Sequence, residues 1–152
     1  MKLLVVTSFL FFTNFLHNTW HKQYIYAWLF LLLTTTSLFI HSQMFKKSID
    51  FNNKMILLDK SIITSIFTYG LYLYLKSGVS IFPIVSLLSV AFIYLGIYCQ
   101  KEGSELSHAI MHIIGCLGHH FIIYDFGYSL DIQEKISKIN FNHIIKNFKI
   151  SV

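Results

Sequence analysis

Five side chains interrupt the apolar stretches of this sequence at spacings that can do chemistry: Ser37, His41, Asp59, His108 and His112. Residues four apart on an α-helix share a face, so His108 and His112 set two imidazoles side by side, and Ser37 lies one turn before His41. Two imidazoles on one helical face can bind a single ion, and a third imidazole completes the ligand set of a catalytic zinc with one position left open. On that reading His41, His108 and His112 are metal ligands, and Asp59 orients water or takes its proton. Ser37 hydrogen-bonds the water or the developing oxyanion. Asp59 has an alternative role, fixing the tautomer of a ligand histidine from outside.

An HxxxH pair alone also arises as polar glue between helices. Haem suits it poorly, because axial ligands approach from opposite faces of the ring. His119 falls on nearly the same face as the pair but about 10 Å further along the axis from His112, too far to share an ion. It reads as a second-layer hydrogen bond or a polar contact. His17, His21, His120 and His143 lie at or beyond helix ends and read as solvated or interfacial, and Lys60, beside Asp59, as snorkelling.

The elements that must position these groups are hydrophobic helices. Of 152 residues 55% are hydrophobic and 12% charged, and the apolar residues fall in uncharged runs approaching the roughly 20 residues that cross a bilayer. The chain is therefore expected to be an all-α, multi-pass integral membrane bundle of about five transmembrane helices. They are placed at about 3–16, 24–41, 55–75, 79–98 and 105–124, with Pro83 in the first turn of the fourth. Residues 1–126 form the membrane domain. Residues 127–152 form a basic amphipathic tail in which Ile132, Ile136, Ile139 and Ile144 alternate with Lys135, Lys138, Lys146 and Lys149.

Ionisable groups inside a bilayer cost several kcal/mol unless they are satisfied, so the histidines and Asp59 demand partners. Threading five antiparallel helices puts the end of the second, the start of the third and the start of the fifth on one side of the membrane. His41, Asp59 and the HxxxH pair can then converge.

Several classes are excluded or left without support. All 12 basic residues are lysines, so bidentate guanidinium contacts to phosphate are absent and nucleic-acid binding is not expected. The net charge of +5 is explained by attraction to anionic lipid head groups, which makes membrane lipids the expected partners. Cys99 and Cys116 lack CxxC spacing, which argues against thiolate metal or redox sites. Met1, Lys2 and the apolar run to Phe12 imitate a signal peptide, but no small-x-small cleavage motif precedes Asn14.

The order SxxxH, LD, HxxxH resembles the superfamily that includes alkaline ceramidases, the progestin and adipoQ receptors, hemolysin III proteins and GPI-lipid remodelling proteins. The matching residues are Ser37-Leu-Phe-Ile-His41, Leu58-Asp59 and Ser107-His108-Ala-Ile-Met-His112-Ile-Ile-Gly115, within about residues 30 to 120. The resemblance implies zinc on His41, His108 and His112, with Asp59 and Ser37 in the site and hydrolysis of a lipid amide as the activity. Two departures stand against it. Family members usually have seven helices, where about five are expected here, and Met111 stands where ceramidases and GPI-lipid remodelling proteins tend to have tryptophan. A non-catalytic receptor-like or hemolysin III-like protein with a structural metal is the alternative, and a structural membrane protein without metal is a third.

Overall fold

The computed structural model describes residues 2–42, 49–77, 81–99 and 105–150, with side chains for 3–42, 51–77, 81–92 and 105–138. Every element among them is helical: α1 (Lys2–Ser8), α2 (Leu10–Trp20), α3 (Tyr24–His41), α4 (Ile49–Ser77), α5 (Phe82–Cys99) and α6 (Glu105–Ile150). The protein is an all-α helical bundle, as its long uncharged apolar runs predict.

The expected first helix is split at Phe9, and the cause is local. The hydroxyls of Thr7 and Ser8 both donate to the Leu4 carbonyl, at 3.2 and 2.7 Å, in competition with the backbone ladder. The backbone tightens in response, with bonds from Phe9 N to Val6 O and from Phe12 N to Phe9 O. Lys22, at φ 59°, turns the chain back from α2 into α3 and closes the expected hairpin.

Two boundaries differ from expectation. α4 begins at Ile49 instead of near Met55, because Asn52, Asn53 and Lys54 are exposed and add polar turns before the apolar segment. Asp59 therefore sits in the third turn of α4, not its first. α6 runs without a break through Gly127, where a turn into the tail is expected. That glycine serves close approach: a Cβ there would lie 2.7 Å from His21 Nδ1. Past it, Ile132 and Ile136 are exposed, and Lys135 and Lys138 pair one turn back with Asp131 and Glu134 at 2.7 and 2.6 Å. The side chains of His143, Ile144, Lys146 and Lys149 lie outside the described residues, as do Lys46 and Lys47.

α6 is the central element, packing on α1, α2, α4 and α5, while α3 packs on α1, α2 and α4. α1 and α2 together run parallel to α6, since Thr7 of α1 meets His112 and Thr13 of α2 meets His120. The core between them centres on Tyr26, Phe30, Ile122 and Ile123, all fully buried. The outer surface is apolar as well, with Phe92 73% and Leu75 72% exposed, which water would penalise at about 25 cal/mol per Å². α3, α4 and α6 are long and apolar enough to cross a membrane, whereas the described apolar part of α5, Phe82–Phe92, is shorter.

Close helix approach in such a bundle depends on small residues. A Cβ at Gly118 would fall 2.7 Å from Ser86 Cβ on α5, while one at Gly115 would meet Val90 at an ordinary 3.7 Å. Gly118→Ala is accordingly expected to destabilise the protein by about 1–3 kcal/mol, as overpacking does, and Gly115→Ala to leave packing unchanged. Thermal unfolding of both variants in detergent checks the contrast.

Candidate metal centre

His41 is the last residue of α3, and His108 and His112 occupy the first two turns of α6. α3 and α6 run antiparallel, Tyr26 meeting His119 at one end and His41 meeting His108 at the other, which brings these ends together. One ligand nitrogen from each of the three imidazoles lies within 4.8 Å of the other two. Their ring centroids are 5.0 Å apart for His41 and His108, 5.5 Å for His41 and His112, and 4.8 Å for His108 and His112. Phe11 of α2 packs on the His112 ring at 5.0 Å and covers this edge of the cluster. The comparisons with family models, curated proteins and solved structures return no match.

A three-imidazole cluster of this kind can hold a metal ion. Zinc with bonds of about 2.0–2.1 Å in a tetrahedral site needs nitrogens about 3.4 Å apart, so rearrangement on the order of 1 Å completes the fit. The donor set suits the ion chemically, because imidazole, buried at His112 and half-buried at His41 and His108, binds zinc through a neutral nitrogen. Thr7 sharpens the match. Its hydroxyl lies 3.1 Å from His112 Nδ1 and has Leu4 O to donate to, so it is placed to accept from Nδ1–H in the tautomer that presents the Nε2 lone pair to an ion.

Ser37 and Asp59 face the same space. A cavity of about 130 Å³ is lined by Ser37, Asp59, His108 and His112 at one end, and by Phe30, Leu33, Ile66 and Phe67 along its apolar wall. Asp59 is held by the Thr36 hydroxyl, which donates to Oδ1 at 2.5 Å. Ser37 is fully committed as a donor: Ser8 gives its proton to Leu4 O, so Ser37 donates to Ser8 Oγ at 2.9 Å. Ser37 therefore presents lone pairs to the cavity, a geometry that accepts from water more readily than it donates to an oxyanion.

All five residues singled out in the sequence thus lie at one end of the bundle, three of them in ligand reach of one another. Thr7, Ser8 and Thr36, which hold them, carry no motif. The one available signal was the clustering of hydroxyls in otherwise apolar helices, at Thr7-Ser8 and along Thr34-Thr35-Thr36-Ser37. His119 has a defined partner in place of a generic polar contact, its Nδ1 bonding the phenol of Tyr26. His17 and His120 form a pair of their own, with Nδ1 atoms 2.8 Å apart and Thr13 Oγ1 2.9 Å from His120 Nε2. They are half-buried between α2 and α6, and His120 lies well inside α6 instead of at a helix end.

Proposed function

We propose that the chain is a zinc-dependent intramembrane hydrolase acting on a lipid amide, as a multi-pass membrane protein whose α1–α2 and α5 cross the bilayer beside α3, α4 and α6. The observation that carries this reading is a metal-competent triad of which two members, His108 and His112, line an apolar cavity together with Asp59 and Ser37. A metal staple alone would need the triad but not the cavity. Support for a lipid route comes from the packing: α4 and α5 both line the cavity, through Phe67 and Leu87 for example, yet each packs on α6 without an extended interface with the other among the described residues. A chain from the bilayer can enter between them.

Zinc bound at His41, His108 and His112 supplies a Lewis acid that polarises the amide carbonyl and lowers the pKa of water. The protein's own groups do the rest. Ser37 accepts a hydrogen bond from the attacking water and aligns it. Asp59, oriented by Thr36, takes the proton and returns it to the leaving amine. Phe30, Leu33 and Ile66 hold the acyl chain and exclude bulk water from the reacting carbonyl.

The test is metal content and turnover measured on the same sample. Full-length protein in detergent is expected to carry about one zinc per chain and to release fatty acid from an N-acyl sphingoid amide, with chelation abolishing release. Zinc without hydrolysis would leave the structural-metal alternative, and absence of zinc would remove both.

A further inference from the structure

The cavity has a second polar end. His119, on α6, lines it two turns beyond His112 and is only 8% exposed. Its Nδ1 is bonded to the Tyr26 phenol, and Tyr26 is fully buried with no other hydrogen-bond partner among the described residues. A neutral phenol must place its proton somewhere, and here the acceptor is Nδ1. A neutral imidazole carries one N–H, so the proton of His119 resides on Nε2. No acceptor for it is found among the described residues.

The pair is built into the packing of three helices. Gly70 of α4 lies against it, and a Cβ there would come within 2.5 Å of Tyr26 Oη and 3.4 Å of His119 Nδ1. Phe30 holds the other side of the imidazole, with ring centroids 5.1 Å apart. A fixed N–H donor at the end of an apolar cavity leaves its desolvation unmet unless something brings an acceptor.

We propose that this end is a second polar subsite, in which His119 Nε2–H binds an oxygen carried on the acyl chain of the substrate. The inference rests on the lipid-amide reading and adds a substrate class to it: acyl amides oxygenated in mid-chain. Geometry fixes the position of the oxygen. His119 is about 10 Å beyond His112 along α6 at 1.5 Å per residue. An extended chain advances about 1.2 Å per bond, which puts the oxygen about eight bonds from the carbonyl carbon held at the triad.

Hydroxamates that ligate the metal through their head group serve as probes. Decanohydroxamic acid and its 8-hydroxy and 4-hydroxy derivatives are titrated by calorimetry into the full-length, zinc-loaded protein in detergent. The 8-hydroxy compound is expected to bind about tenfold more tightly than the plain chain, and the 4-hydroxy compound no better than it. His119→Phe should lose the preference for the 8-hydroxy over the plain chain, His119→Gln should keep part of it through its amide N–H, and Tyr26→Phe should reduce it. Equal binding of the plain and 8-hydroxy chains to the wild type overturns the subsite and leaves the hydrolase reading standing, since water then serves His119. Failure of all three compounds to bind overturns both.

Discussion

Replacing His112 with alanine is expected to take the zinc content from about one ion per chain to near none, because two imidazoles cannot hold the ion that three can. The loss should be sharper for His112 than for a surface ligand. His112 is the buried member of the triad, and Thr7 Oγ1, 3.1 Å from its Nδ1, supports the tautomer with the lone pair on Nε2. His41→Ala and His108→Ala remove the other two donors and should behave alike, so elemental analysis of the three variants beside the wild type is the measurement. Full zinc in both His108→Ala and His112→Ala would show that the HxxxH pair only glues helices together. The folded state should survive these changes. The fully buried residues Tyr26, Ile122 and Ile123 lie about two turns or more from His112 along the bundle, and retention of the wild-type helical spectrum separates lost metal from lost fold.

The triad was legible in the sequence because three regularities coincide at it. A histidine one turn from another is visible as HxxxH, an ionisable residue in an apolar run is visible as an expense, and the alternation of helix directions follows from counting runs. Together these place His41 beside His108 and His112 without any knowledge of side-chain packing. The break at Phe9 was not legible on the same terms. It depends on Thr7 and Ser8 both choosing the Leu4 carbonyl, a competition between side chain and backbone that leaves no periodic trace. The continuity of α6 through Gly127 was hidden for a related reason. Glycine reads as punctuation in a sequence, whereas here it admits the His21 ring.

Roles within the site were less legible than membership in it. The sequence left Ser37 either as an acceptor toward water or as a donor toward an oxyanion. The choice turns on Ser8, a residue 29 positions away on another helix, which commits the Ser37 proton. The same holds for His119, whose free N–H is decided by a tyrosine on α3. Hydrogen-bond direction propagates through the last proton in a chain of hydroxyls, and that proton is invisible until the partners are in place.

Asp59→Asn separates a catalyst from a metal staple, and its largest expected effect is on turnover. The amide is close in shape to the carboxylate and keeps an oxygen to accept the Thr36 hydroxyl, so the side chain should stay where it is. The three imidazoles remain, and zinc should remain with them. What is lost is the base: hydrolysis of the lipid amide should fall by at least the ~100-fold typical of removing one, with zinc content unchanged. The rival role, holding a ligand histidine in orientation, predicts instead a roughly 10- to 100-fold loss of zinc affinity. The hydrogen bond given to Asp59 comes from Thr36 and not from an imidazole, and His112 already has Thr7 for that purpose, which favours the first outcome. In a receptor-like protein the wild type itself would turn over no amide. A variant matching the wild type in both zinc and turnover would make Asp59 a carboxylate that merely borders the cavity.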